Sequence, residues 1–375
     1  MNQEPLNKAQ SSENISVHPH HKKAKKLKSR LAWTILFVAI AAVTLWTIFS
    51  QDSFSISEFG AFLKGMKPWW LIAAFASMLG FILFEGLALL VIIRSFGYKK
   101  SLGHGAIYAS GDIYFSAITP SATGGQPACA YFMMKDKIPG TVVTVALIAN
   151  LIMYTFAILI IGIVSILMRP TIFFGLAVYS QILILIGALA LIGLAIGFML
   201  ILFKGQFLHK LGNGLINILA KLKLIRKPEK KKERLSAAIV SYTDNVEHLV
   251  GKRKMLLQVL LCNVLQRACG IAVTLFVFLG SNGAASNAVD VWVSQCLVVL
   301  GSNTMPIPGA MGISDLLLHD AVVALGHSDV YATNLNLLSR TISFYSCVIL
   351  CGLAMVVRII SYKVIEKRQC KRELQ

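Results

Sequence analysis

The sequence predicts an all-α polytopic membrane protein in which two inverted repeats each contain a broken, re-entrant helix pair. Of its 375 residues, 56% are hydrophobic and only 14% are charged, whereas soluble proteins carry about 25% charged residues. Six apolar stretches are long enough to cross a hydrocarbon core of about 30 Å. Two further apolar segments are interrupted by Pro/Gly clusters. At membrane depth, such irregular backbone is tolerated only where it is buried in protein or lines a wet cavity.

The chain begins with a polar, basic tail, residues 1–30, which we expect to be disordered and cytoplasmic. An apolar stretch, 31–49, follows directly. A cleaved signal peptide has the same order of charge and hydrophobicity, but the residues after Phe49 contain no A-x-A cleavage site. We therefore expect 31–49 to be the first span.

The basic clusters orient the chain by the positive-inside rule, with both termini in the cytoplasm. The first membrane half covers 31–203 and the second covers 255–362, separated by a basic cytoplasmic linker, 204–254, and followed by a cytoplasmic tail, 363–375. The loop 281–290 contains no Lys or Arg and is placed outside. The remaining spans are predicted at 69–92, 141–167, 172–203, 255–280 and 333–361.

In this topology, the two interrupted segments enter the membrane from opposite faces. Segment 104–134 enters from the cytoplasm and segment 291–325 from the outside. Each lies between two spans, so the flanked units form inverted repeats, an arrangement found in many secondary transporters. The alternative is that both Pro/Gly clusters are kinks in complete spans. That topology would place clusters of basic residues on the non-cytoplasmic side of the membrane.

The linker indicates contact with an anionic lipid surface. Its first part has the pattern of a basic amphipathic helix, and a polar helix is predicted from about 227 to 250. The alternative is that the basic residues only fix the orientation of the chain in the membrane, and this is compatible with contact with anionic lipid. The net charge of +19 does not indicate nucleic-acid binding, because the Lys and Arg residues concentrate at span ends and in the linker.

Ionisable residues inside spans are costly and are candidates for a functional site. Arginines bind phosphate bidentately, and carboxylates attract amines, so together they would line a head-group cavity. The alternative is mutual ion pairing that holds the helix bundle together. The candidates are Glu85, Asp112, Arg267, Asp315 and Arg340.

The two Pro/Gly clusters supply a second group of candidates. Their glycines permit backbone N–H groups to face an anion at a half-helix N-terminus, and neighbouring polar side chains add hydrogen bonds. The alternative is a purely structural tight turn. These candidates are Thr119, Gly124, Gly125, Gln126, Thr304, Gly309 and Gly312.

The sequence contains no recognisable catalytic apparatus. It has no P-loop, H-E-x-x-H or G-x-S-x-G motif, and its seven cysteines are scattered without metal-ligand spacing. We therefore predict no catalytic residue, cofactor or metal.

The motifs T-P-S-A-T-G-G-Q-P at 119–127, P-I-P-G-A-M-G-I-S-D at 306–315 and S-R-T-I-S-F-Y at 339–345 resemble the lysylphosphatidylglycerol synthase transmembrane-region family of flippase-like membrane domains. The resemblance covers roughly residues 30–365. Asp315 stands where the family usually has Glu, Ala310 where a second Gly is common, and Asn150 where many members have an acidic–Arg pair.

The resemblance implies translocation of aminoacylated phosphatidylglycerol, or a related anionic or zwitterionic lipid, across a bacterial cytoplasmic membrane, which aids resistance to cationic antimicrobial peptides. In fused members a C-terminal synthase makes this lipid, and we expect this chain to lack that domain. Phosphatidylglycerol lysyltransferase activity remains an alternative at family level or with a separate aminoacyl-phosphatidylglycerol synthase as partner. A small-solute secondary transporter is another alternative, and a homo-oligomer is left open.

Overall fold

The computed structural model describes residues 56–119, 122–203, 214, 228–305 and 312–373. Within these ranges the regular structure is entirely helical. The predicted first span, 31–49, and most of the predicted amphipathic helix of the linker lie outside the described residues. The described part confirms the prediction of an all-α polytopic membrane protein.

The described residues form thirteen α-helices, numbered in chain order. They are α1 (Ile56–Lys64), α2 (Pro68–Ser95), α3 (Leu102–Ile118), α4 (Gly125–Lys135), α5 (Gly140–Met168), α6 (Pro170–Gly175), α7 (Val178–Phe203), α8 (Pro228–Val250), α9 (Arg253–Gly280), α10 (Ala288–Ser302), α11 (Ile313–Ala324), α12 (Asp329–Arg340) and α13 (Cys347–Glu373). A 3₁₀ turn (Ala285–Asn287) precedes α10, and a π-helical turn (Thr341–Ser346) joins α12 to α13.

Five described segments are long and apolar enough to span a membrane: Pro68–Ser95, Gly140–Met168, Val178–Phe203, Arg253–Gly280 and Asp329–Tyr362. They coincide with the five predicted spans that fall within the described ranges. Their exposed surfaces carry large apolar side chains, such as Leu189 on α7 and Leu353 on α13. In hydrocarbon, burying such surfaces against protein brings no hydrophobic gain, so the exposed apolar area fits a helix bundle that faces lipid.

Two spans differ in detail from the predictions. The predicted stretch 172–203 is divided, because α6 ends at Gly175 and Leu176 adopts an extended conformation before α7 begins. The side chain of Asp320 accepts a hydrogen bond from the Ala177 N–H at 3.1 Å and so satisfies a donor at this break. The last span contains a π-helical turn and α13 continues to Glu373, beyond the predicted end of the span.

Both interrupted segments contain two helices, and the described residues next to the breaks leave the helical conformation, as the Pro/Gly clusters predict. In the first, α3 ends at Ile118 because Thr119 is extended, with φ −117° and ψ 142°. Extended geometry is the preference of a residue that precedes proline. In the second, α10 ends at Ser302 and α11 begins after Gly312, whose φ of +83° suits glycine. The membrane face from which each segment enters, and hence the inverted repeat, stays a prediction.

Close helix packing brings the first interrupted segment against the centre of the bundle. Helix α2 packs along α9 and also against α3. A Cβ atom at Gly86 of α2 would lie 2.6 Å from the backbone carbon of Gly105 on α3, so these helices touch backbone to backbone. Small residues permit such contact between membrane helices. The polar side chains of α2, α3 and α9 are thereby held together in an otherwise apolar interior.

Candidate functional site

Arg267, halfway along α9, lies between two aromatic rings. Its guanidinium carbon is 5.0 Å from the ring centroid of Phe81 on α2 and 4.4 Å from that of Tyr154 on α5. Its Nε is buried and has no hydrogen-bond partner. Within the part of the chain that the structure describes, no carboxylate forms an ion pair with Arg267. This cation is therefore held by π faces while part of its hydrogen-bonding capacity is unused.

A buried pair of carboxyl groups lies beside Arg267. Glu85 of α2 and Asp112 of α3 are 7% and 9% exposed, and their carboxyl groups lie next to each other. Gln266 donates from Nε2 to Glu85 Oε2 at 2.7 Å. On the other side, Gln126 of α4 donates from Nε2 to Asp112 Oδ2 at 2.9 Å. Together with Arg267, these four residues form what we call the acid–arginine cluster.

The paired glycines of the first break let α4 approach this cluster. A Cβ atom at Gly125 would lie 2.0 Å from both Asp112 Oδ1 and Ser116 Oγ, and one at Gly124 would lie 2.6 Å from the Thr119 methyl carbon. The Gly124 N–H donates to Thr119 Oγ1 at 2.9 Å. That N–H is thus already hydrogen-bonded within the turn. At both glycines the close packing leaves no room for a side chain.

A second polar cluster surrounds the start of α11. Arg340 Nε and Asp315 Oδ1 form an ion pair at 2.9 Å, and Arg340 Nη2 also donates to Ser314. The Gly312 N–H donates to Asp315 Oδ2 at 2.9 Å, closing the N-terminus of α11. Arg340 and Asp315 therefore show the mutual pairing that the sequence left as the alternative to ligand binding.

One contact connects Arg267 with the second break. The hydroxyl of Tyr154, whose ring faces Arg267, donates to Asn303 Oδ1 at 2.7 Å. Asn303 directly follows α10, and half-buried Thr304 comes next. Gly309 lies outside the described residues. Through Tyr154, the acid–arginine cluster thus reaches both interrupted segments.

Several residues that form these contacts were not among the candidates predicted from the sequence. Phe81 and Tyr154 are ordinary aromatic residues of apolar spans, and only the fold places them on Arg267. Gln266 could have been found, because an amide next to a charged residue is unusual in an apolar span. Among the residues that the structure covers, there is no group of three or more His, Cys, Asp or Glu side chains that could hold a metal ion.

A third polar cluster was also missed. Asp136, just after α4, accepts hydrogen bonds from Tyr108 at 2.8 Å, Arg358 at 2.8 Å and Tyr362 at 2.7 Å. It thereby ties the end of the first interrupted segment to α13. An acidic residue between Lys135 and Lys137 was the available sign.

Residues 34–351 match the sequence model of the family described as the lysylphosphatidylglycerol synthase TM region. The chain belongs to this family. Both interrupted segments and the acid–arginine cluster fall within the matched range. A curated relative, the UPF0104 membrane protein PH1989 of Pyrococcus horikoshii, is 23% identical over 256 residues, which is 65% of this chain and 73% of the relative. No solved structure matches the chain.

Proposed function

We propose that this member of the lysylphosphatidylglycerol synthase TM-region family is a flippase-like lipid translocator. Its substrate would be aminoacylated phosphatidylglycerol, or a related anionic or zwitterionic phospholipid. The proposal places the chain in a bacterial cytoplasmic membrane, with the basic linker on the anionic inner surface. Outward transfer of lysyl lipids would lower the negative surface charge and weaken attack by cationic peptides.

The observation that carries the proposal is the environment of Arg267. Two aromatic faces contribute about 0.5–2 kcal/mol to holding its guanidinium. They do not replace the anionic partner that an arginine in an apolar span normally requires. Its orphaned Nε can still donate, and a phosphate offers oxygen acceptors that match the planar donor fork of the guanidinium. We assign the lipid phosphate to this arginine.

The rest of the cluster suits a head group that also carries an amine. The Glu85–Asp112 pair lies on the neighbouring helices and presents carboxyl oxygens to the same region. An aminoacyl ammonium would be attracted there while the phosphate engages Arg267. Arg340 already has a counter-charge in Asp315. In the proposal, Arg340 stabilises the conformation of the second break, and it contacts phosphate only if the phosphate replaces Asp315 as its partner.

The test is lipid translocation by the purified full-length chain in liposomes that contain fluorescent lysyl-phosphatidylglycerol. Arg267→Ala should abolish most of the transfer, and Arg267→Lys should retain part of it because the charge remains while the fork is lost. Arg169→Ala is the matched control, since Arg169 is a half-exposed arginine paired with Asp290 away from the cluster. Unchanged transfer after combined Arg267→Ala and Arg340→Ala would refute the assignment.

The same experiment separates the alternatives. A small-solute transporter would leave the fluorescent lipid in its original leaflet, whatever residue stands at 267. A phosphatidylglycerol lysyltransferase would convert added phosphatidylglycerol into lysyl lipid when supplied with aminoacylated tRNA. Chemical analysis of the liposome lipids after the assay therefore distinguishes movement of a lipid from its modification.

A further inference from the structure

We infer that the Glu85–Asp112 pair is a proton-binding site whose loading is coupled to an anionic head group at Arg267. The inference rests on the proposed function, because it takes the lipid phosphate as the ligand of Arg267. It adds the ion that binds together with the lipid.

The two carboxyl groups are neighbours in the interior of the protein. Glu85 and Asp112 are almost fully buried, and their side chains lie next to each other. Two carboxylates offer only acceptor oxygens, so they can hydrogen-bond to each other only when one of them carries a proton. Two like charges buried side by side repel strongly, and a shared proton removes the repulsion. The pair is therefore built to hold at least one proton.

Two amide side chains border the pair, each with a buried carbonyl oxygen that has no hydrogen-bond partner. Gln266 is 1% exposed, its Nε2 donates to Glu85, and its Oε1 has no partner. Gln126 repeats this on the other side, with Nε2 on Asp112 and Oε1 buried without a partner. A buried acceptor without a donor costs about 1–3 kcal/mol. A protonated carboxyl group can donate to such an oxygen.

The surroundings of the pair contain one charged group among several neutral ones. The titratable groups facing the pair from the neighbouring helices are the Tyr154 phenol, the Arg267 guanidinium and the thiols of Cys129, Cys347 and Cys351. Thiols and phenols are neutral at pH 7 in their ordinary state. Within the described residues, Arg267 is therefore the cation that balances the pair.

Charge balance then couples the lipid to the proton. With both carboxyls ionised, the acid–arginine cluster carries a net charge of −1, and one proton makes it neutral. A phosphate bound to Arg267 cancels the positive charge and, for a head group without an amine, favours a further proton on the pair, since uncompensated charge is costly in a medium of low dielectric constant. By linkage, the proton then favours the phosphate equally. The anionic lipid and the proton should bind together.

The experiment measures proton uptake during lipid binding by the full-length protein in detergent. Short-chain phosphatidylglycerol is titrated calorimetrically in buffers that differ in ionisation enthalpy, over a series of pH values. Binding of one lipid should be accompanied by the uptake of about one proton. The affinity for the lipid should then fall by up to about tenfold for each unit of rising pH. Asp112→Asn and Glu85→Gln should bind the lipid with an affinity that varies much less with pH. Asp290→Asn removes an unrelated carboxylate and should behave as the unchanged protein does.

The outcomes separate this inference from the proposed function. If the unchanged protein binds no lipid at any pH, the proposed function fails. If it binds with pH-independent affinity, or if Na⁺ rather than pH governs the affinity, the proton site is refuted while lipid binding stands. An infrared C=O band of a protonated carboxylic acid, present in the unchanged protein and weakened by Asp112→Asn, would support the site without relying on binding. Absence of that band at every pH would overturn it.

Discussion

Gly125→Ala should destabilise the protein and impair lipid transfer, although it adds only one methyl group. Gly125 opens α4 directly against α3, where its Cβ atom would lie 2.0 Å from Asp112 Oδ1 and Ser116 Oγ and 2.6 Å from the backbone oxygen of Asp112. The side-chain oxygens could turn away, but the backbone oxygen cannot. Either α4 must move away from α3, or the contacts of Asp112 must break.

The magnitude follows from the cost of overpacking, about 1–3 kcal/mol for an added methyl group in a tightly packed site. It opposes the usual gain of about 0.5–1 kcal/mol when alanine replaces glycine in a helix. Gly193→Ala in α7 is the matched control, because nothing lies within 4 Å of its added Cβ. Gly125→Ala should therefore lower the stability, whereas Gly193→Ala should leave it unchanged or raise it.

The assay is thermal unfolding of the detergent-solubilised protein, followed by the monodisperse fraction on size-exclusion chromatography. Lipid transfer in liposomes is measured in parallel at a temperature where both variants are folded. We expect Gly125→Ala to melt lower than the unchanged protein and to transfer lipid more slowly, and Gly193→Ala to melt at the same temperature or higher. Equal melting temperatures and equal transfer for both variants would show that α4 does not pack as described.

Three further predictions concern the polar contacts. Tyr154→Phe keeps the ring on Arg267 but removes the hydrogen bond to the second break, so transfer should slow by about fivefold for a net loss of roughly 1 kcal/mol, whereas unchanged rates would deny the link. Arg358→Ala leaves Asp136 without its arginine and should lower the melting temperature while calorimetric lipid affinity is kept; a loss of affinity at full stability would contradict a structural role. For Arg340 and Asp315, a double-mutant cycle on thermal stability should give a favourable coupling of about 0.5–3 kcal/mol, and zero coupling would argue against their ion pair.

Much of the helical architecture could be predicted because it depends on local composition. Spans reveal themselves as apolar stretches of about 20 residues, and breaks reveal themselves through Pro and Gly. The subdivision at Leu176 was not predictable in this way. There the irregular backbone is supported by Asp320, a residue distant in sequence, whose carboxylate satisfies the Ala177 N–H.

The members of the candidate site that could be predicted were its charged residues and Gln126 of the first Pro/Gly cluster. Glu85, Asp112 and Arg267 stand out because charge in an apolar span is costly. Their roles could not be predicted in the same way, since the cost of a charge in an apolar span also selects Arg340, which pairs with Asp315. Which arginine has a carboxylate partner depends on helix packing, and spacing along the chain does not contain that information.

The sequence by itself determined that this is an all-α membrane protein of the lysylphosphatidylglycerol synthase TM-region family, with two interrupted apolar segments. Those properties follow from hydropathy, from the conformational limits of Pro and Gly, and from motifs that are continuous in the chain. Only the tertiary structure decided that the two carboxyl groups meet and that Arg267 lies between aromatic rings. The contacts of Arg267 join helices far apart in sequence. The carboxyl groups meet because Gly86 and Gly105 let the backbones of α2 and α3 touch.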